Sequence, residues 1–197
     1  MPPIEINDQF KHALDIMENT NRSIFITGRA GTGKSTLLSY FRIITKKKVA
    51  VLAPTGVAAL NVKGQTIHSF FGFKPNVTLR MIKRRRAAAE GTTVYQNLDA
   101  IIIDEISMVR ADLLDCVDRF LRLNGPSPDL PFGGIQMIFI GDLYQLPPVV
   151  TGVEKAGFST LYETPYFYSA HVFESFEMDF LELEKIYRQH DPQFIDL

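Results

Sequence analysis

The sequence predicts an α/β fold with a mostly parallel sheet and helices on both of its faces. Three observations carry that expectation. Short apolar runs alternate with helical periodicity along all 197 residues. One run, Ile101-Ile102-Ile103, is continuous and β-branched, as suits a parallel strand covered on both faces. A glycine-rich octapeptide, residues 28–35, joins an apolar run to a helical one.

In chain order, residues 7–17 predict an amphipathic helix with Phe10, Ala13, Leu14 and Met17 on one stripe. Residues 23–27 read as a short buried strand and 33–44 as a helix. Residues 48–53 are a second strand, stopped by Pro54, and 99–104 a third. Residues 112–123 are a helix, with Leu113, Leu114, Val117, Phe120 and Leu121 spaced by three and four. A turn-rich loop spans 124–131, a fourth strand 135–140 and a fifth 178–183. In such sheets ligands sit beyond the carboxyl ends of the strands, where the motifs below fall.

The length suits one domain. A net charge of −1 gives no support by itself to nucleic-acid binding. The charge is split, however. Residues 1–150 hold 18 basic and 13 acidic side chains, a balance of +5, and residues 151–197 hold 3 and 9, a balance of −6. That asymmetry permits a positive face on the first part. The lone Cys116 excludes an internal disulfide, suits a reducing compartment and falls on a helical core pattern. Residues 1–10 carry acidic residues and no basic one, the pattern of neither a signal nor a transit peptide. No apolar run approaches the roughly 18 residues of a membrane span. The expectation is a cytoplasmic protein of bacterial or viral origin, with no membrane partner.

Gly28-Arg29-Ala30-Gly31-Thr32-Gly33-Lys34-Ser35 fits the phosphate-loop pattern G-x-x-x-x-G-K-[ST]. Glycines let the loop wrap its N–H groups around phosphate oxygens at the positive end of the next helix. The expected nucleotide contacts are Gly28, Ala30, Gly31, Thr32, Gly33, Lys34, Ser35 and Thr36. Lys34 supplies charge to the β and γ phosphates, and the Ser35 hydroxyl a ligand for Mg²⁺. Asp104 and Glu105 end the apolar strand: Asp104 completes the Mg²⁺ shell, and Glu105 orients and deprotonates the attacking water. That adjacent glutamate favours ATP hydrolysis over a small-molecule kinase. Gly141-Asp142-Leu143-Tyr144-Gln145-Leu146-Pro147-Pro148 follows the next strand, with Gln145 expected to meet the γ-phosphate; its spacing alone suits an ordinary loop equally well.

These pieces come in one order with Ala53-Pro54-Thr55-Gly56-Val57-Ala58-Ala59, Gly64-Gln65-Thr66-Ile67-His68-Ser69-Phe70-Phe71, Asp104-Glu105-Ile106-Ser107-Met108 and Tyr187-Arg188-Gln189. The set resembles superfamily 1 helicases of the petite-integration-frequency (Pif) family, and more distantly the RecD-like enzymes, over residues 9–189. The resemblance implies a RecA-like three-layer P-loop NTPase domain that binds and hydrolyses Mg-ATP to move 5′ to 3′ on single-stranded, forked or structured DNA, as a monomer. It implies that Gln9 reads the adenine edge and that Arg188 faces the γ-phosphate, where a planar guanidinium suits spread charge. It places Pro54, Thr55 and Gly56 against the DNA backbone, with Thr66 and His68 close by. His68 reads equally as a structural histidine. For Phe70, Phe71 and Phe73 core packing is the stronger reading than base stacking. The run Lys83-Arg84-Arg85-Arg86 reads as a solvated helix face before a DNA patch, and Lys46-Lys47-Lys48 as cations near a helix end. The family's later motifs do not occur before Leu197, so a second, C-terminal motor domain is expected to lie outside this chain, which alone is expected not to unwind DNA. The competing readings are another P-loop enzyme such as a kinase, and an inert ATP-binding module docked on a partner.

Overall fold

Alternate residues of the four central strands divide between two apolar cores, and that division gives the molecule its layers. The computed structural model describes residues 6–85, 94–145, 147–150 and 158–185. In them lie helix α1 (Asp8–Asn19), strand β1 (Ile24–Thr27), α2 (Lys34–Ile44), β2 (Val49–Ala53), α3 (Gly56–Asn61), β3 (Gln65–Thr66) and α4 (Ile67–Phe71). Then come β4 (Ala100–Ile103), α5 (Ala111–Asn124), β5 (Gln136–Ile140) and β6 (Asp179–Glu182). The strands form one sheet in the order β3-β2-β4-β5-β1-β6, and every pairing is parallel.

On one face Ile24, Ile26, Val51, Ile102, Ile138 and Ile140 pack with Phe10 and Met17 of α1 and with Leu37 and Phe41 of α2. On the other, Phe25, Leu52, Ile101, Ile103, Met137 and Phe139 pack with Leu114, Val117 and Phe120 of α5. This is the expected three-layer sandwich: a strand buried on both faces reads as a continuous apolar run because neither side meets water. Cys116 is a buried core residue, as its helical position implied.

The structure adds three elements that periodicity does not reveal. Helices α3 and α4 have six and five residues, too short to repeat a stripe, and β3 has two. Local chemistry makes them. Thr55 Oγ1 accepts from Ala58 N at 3.2 Å to cap α3, and Thr66 Oγ1 accepts from Ser69 N at 3.1 Å to cap α4. Gly72, at φ 63°, ends α4 in the left-handed conformation.

The run from Lys83 departs from expectation, and the expected helix is absent over the described part, since residues 82–85 carry no regular structure. Lys83, Arg84 and Arg85 are exposed, as expected, but Arg85 also packs on its neighbours. It lies over the rings of Phe120 at 5.5 Å and Tyr95 at 5.7 Å and donates to Phe71 O at 2.7 Å, while its own N–H donates to Asn124 Oδ1 at 2.7 Å. A guanidinium can stack on aromatic rings while part of it stays in water. Arg86 lies outside the described residues. Phe70, Phe71 and Phe73 belong to the same aromatic cluster with Tyr95 and Phe120, so core packing holds for all three. Lys47, past the end of α2, reaches across to Gln136 Oε1 at 2.7 Å, which ties the base of β5 to the layer above it.

Candidate active site

Strand register brings the motifs to one edge. Ile26 of β1 pairs with Ile140, and Phe139 pairs with Ile103 of β4. Gly28, Asp104 and Asp142 therefore leave the sheet side by side. On the far side of β4, Leu52 pairs with Ile103 and Ala53 with Thr66, so Pro54, Thr55 and Thr66 leave the same edge. The fold thus places the phosphate loop and the expected strand-contact residues along one rim.

The loop after β1 needs its glycines. Gly28, Gly31 and Gly33 have φ of 148°, 85° and 93°. A Cβ on Gly28 would also lie 2.6 Å from Leu183 O and 2.7 Å from Thr32 Oγ1. Thr32 braces the turn through Oγ1 to Arg29 O at 2.9 Å. Ala30 is exposed, and Ser35 and Thr36 lie on the first turn of α2, where N–H groups point away from the helix. Lys34 Nζ donates to Gly28 O, and to Arg29 O at 3.1 Å, so the loop itself holds the ammonium. Half-burial lowers the Lys34 pKa from its ordinary value, against the opposing attraction of Asp142, Glu105 and Asp104.

Those three carboxylates surround the lysine from two loops. Asp104 is 9% exposed, and burial, with Glu105 beside it, pushes its pKa up to about 6. Glu105 stands at φ 52°, a left-handed conformation that costs a non-glycine residue about 1–2 kcal/mol. Such backbone strain is typical of functional positions. Gly141 lets the loop after β5 approach: a Cβ there would meet Ile106 N at 3.1 Å and Ser107 N at 3.2 Å.

A raised Asp104 pKa has a measurable consequence. Folding holds the proton more tightly than the unfolded chain does, so the group's contribution to stability falls as pH rises from about 4 through about 6. Without nucleotide or metal, Asp104→Asn is expected to stabilise the protein at pH 7–8, by on the order of 2–3 kcal/mol at most, and to be near neutral at pH 4. Thermal melts at the two pH values check this; an equal shift at both would contradict the assignment.

Several expected residues sit differently from the sequence reading. Gln145 is exposed and its Nε2 donates to Asp142 Oδ2 at 3.2 Å, so Asp142 holds it at the rim. Asp142, only 4% exposed, also accepts from Tyr144 N at 3.0 Å. The sequence alone assigns Asp142 no role; an acid three residues before the candidate sensor is the available signal. Gln9 is not free to read a base in this arrangement. Its Nε2 donates to Glu182 O at 2.9 Å and its Oε1 accepts from Glu184 N at 3.2 Å, which clamps α1 to the end of β6. A primary amide offers backbone the same donor and acceptor it offers adenine. Thr55 and Thr66 spend their hydroxyls on helix caps, and Gly56 is exposed beside Thr55. Burial lowers the His68 pKa, which keeps the ring neutral at physiological pH and removes cationic attraction from its repertoire. Tyr187, Arg188, Gln189 and Leu146 lie outside the described residues.

The residues fit a magnesium nucleotide. Among the described residues no three His, Cys, Asp or Glu side chains group as a metal site. Mg²⁺ characteristically takes one or two protein oxygens beside phosphates and water, and Ser35 and Asp104 are the pair at hand. No helix among the described residues is long and apolar enough to cross a membrane.

Comparison with known proteins gives one consistent match. The model of the family described as PIF1-like helicase matches residues 5–194. The chain is 35% identical over 202 residues to the ATP-dependent DNA helicase PIF1 of Emericella nidulans, covering 95% of this chain and 25% of that protein. It is 36% identical to the protein of the same name from Saccharomyces cerevisiae, covering 99% of this chain and 23% of the relative. It superposes with a TM-score of 0.87 and 36% identity on the crystal structure of a Pif1 helicase from Bacteroides in complex with ADP-AlF3 and ssDNA, over 98% of this chain and 45% of that one. The chain therefore spans about a quarter of the curated relatives and under half of the solved chain.

Proposed function

The chain belongs to the PIF1-like helicase family, and from that premise we propose that it is the RecA-like motor domain of an ATP-dependent 5′-to-3′ DNA helicase. One observation carries the proposal: a single sheet edge holds both the Lys34–Asp104–Glu105–Asp142 cluster and, beyond the neighbouring strands β2 and β3, Thr55, Thr66 and His68. Hydrolysis at one end of a rigid edge can then alter the grip on DNA at the other. That is what translocation requires, because a ligand moves a protein only by its differential affinity for two states. The Bacteroides relative whose structure holds both ADP-AlF3 and ssDNA supports the pairing.

In this reading the P-loop amides and Lys34 bind the triphosphate, and Ser35 and Asp104 hold Mg²⁺, which when bound neutralises charge on the phosphate oxygens. Glu105, whose carboxylate is near enough to Lys34 to attract its ammonium, takes the proton of the attacking water. Asp142 positions Gln145 at the rim, from which it reports the phosphate state. Gln9 exchanges its β6 partners for adenine, and Arg188 supplies charge to the γ-phosphate.

DNA binding tests the coupling. Affinity for a fluorescent single strand is expected to change with an ATP analogue, to fall with salt and to vary little with base sequence. Thr55→Ala or His68→Ala should lower it several-fold with little effect on nucleotide affinity. Thr55→Ala also removes a helix cap, at a stability cost of about 1 kcal/mol, so Thr55→Ser, which keeps the cap, should retain binding. Indifference to nucleotide, or a strong preference for one base, would count against the proposal.

A further inference from the structure

A cavity of about 560 Å³, with no phosphate-loop residue in its lining, lies between the end of α4, Phe120 of α5 and residues 72–85. Five cations line it: Lys74, Arg80, Lys83, Arg84 and Arg85. Among the described residues no acidic side chain lines it, and none of these cations pairs with a carboxylate. Arg80, Arg84 and Arg85 are all exposed, and Arg85 also stacks against the aromatic wall. Like charges crowded on one concave wall repel each other, and low-dielectric walls focus their field outward. The volume lies in the range that holds a nucleotide-sized ligand.

Position narrows the anion. α4 begins at Thr66, on the rim proposed to contact DNA, and ends at Gly72, on the cavity. Five helical residues rise only about 7.5 Å. A strand on the rim needs little length to reach the cavity. The chain's charge split agrees, since the residues before 151 carry the positive balance.

We propose that this cavity is a second nucleic-acid contact, in which Lys74, Arg80, Lys83 and Arg84 hold phosphate groups of a single strand beyond the Thr55–His68 rim. The inference rests on the reading of the chain as a DNA motor and adds a surface to it. It explains why Lys74, Arg80, Lys83 and Arg84 stand without carboxylate partners among the described residues while Arg85 stacks on the aromatic wall. The contacts are to phosphate, so they add affinity and salt dependence without base preference.

The test uses the 197-residue chain and fluorescence anisotropy of a labelled oligothymidylate across a salt series. Arg80→Ala with Arg84→Ala is the diagnostic pair, because both side chains are exposed and neither packs on the rings; a thermal melt confirms the fold. The pair is expected to weaken strand binding on the order of tenfold at 0.1 M salt. It should also reduce the slope of log affinity against log salt by about 1.4, since each single-strand phosphate that an arginine neutralises accounts for about 0.7. Affinity for an ATP analogue should stay unchanged. Unchanged strand affinity and slope would overturn the proposal, as would absence of strand binding by the parent chain. Thymidine monophosphate and inorganic pyrophosphate form a separate arm: tight binding of either that the double variant abolishes, with strand binding untouched, would assign the cavity to free phosphates and also overturn it. Thr55→Ala with His68→Ala separates the two claims. If that pair is silent and the arginine pair is not, the rim reading fails and the cavity stands; the reverse result sinks the cavity and leaves the rim.

Discussion

Lys34→Ala is expected to weaken ATP binding about 100-fold while the protein stays folded. The ammonium meets two phosphates in the proposed complex, and hydrogen bonds to charged groups are worth about 1.5–3 kcal/mol each. A combined loss near 3 kcal/mol is about two decades of affinity. Folding survives because Lys34, the first residue of α2, is half-buried and packs into neither core cluster. The variant does lose the bonds from Nζ to Gly28 O and Arg29 O, so a small drop in melting temperature accompanies the loss. Titration with a fluorescent ATP analogue, beside a circular dichroism spectrum, measures both effects. Unchanged affinity in a folded variant would remove Lys34 from the site.

Glu105→Gln should leave binding intact and reduce turnover by about 100-fold or more, the range a positioned general base contributes. Glutamine has nearly the same shape and meets the same backbone demand at φ 52°, so the loop geometry is preserved and only the proton acceptor is lost. Asp104→Ala should act on the other axis, by weakening Mg²⁺-dependent nucleotide affinity. The neighbours differ in surroundings in a way that suits this division. Asp104 is buried with its pKa pushed up to about 6, whereas Glu105 is half-exposed at the mouth of the site. Isothermal binding and single-turnover hydrolysis together read the two roles. Equal loss of binding in both variants would contradict the division of labour.

Much of the fold is legible because burial on two faces writes itself into sequence. The strand expected at 135–140 forms at Gln136–Ile140, and the helix expected at 112–123 forms at Ala111–Asn124. The stripe expected on α1 is Phe10, Ala13, Leu14 and Met17; in the structure Ile16 is buried too, while Leu14 is only half-buried. What stays hidden depends on local chemistry or on distant partners. The capping threonines make α3 and α4, whereas the motifs point to those same residues only as DNA contacts. Gln9 carries no sequence signal for its clamp on β6, since its partners are backbone atoms 173 and 175 residues away. The basic run is exposed at Lys83, Arg84 and Arg85, as its charge suggests, but it forms no helix there, and Arg85 also stacks on aromatic rings, which charge alone does not signal. The phosphate loop is legible as a turn, because the glycines its pattern singles out, Gly28, Gly31 and Gly33, are the ones that adopt positive φ.

The most direct test of the central claim is the rate of phosphate release from ATP and Mg²⁺ with and without single-stranded DNA. It should be measured on this chain and on a version extended at its C-terminus toward the length of its helicase relatives. Slow release is expected from the 197-residue chain. From the extended chain, release that DNA accelerates strongly is expected, since an arginine held against the γ-phosphate is worth about 10³–10⁵ in rate. Lys34→Ala should abolish release in both. Turnover that ignores DNA in an extended chain shown to bind it, or that survives Lys34→Ala, would contradict the account.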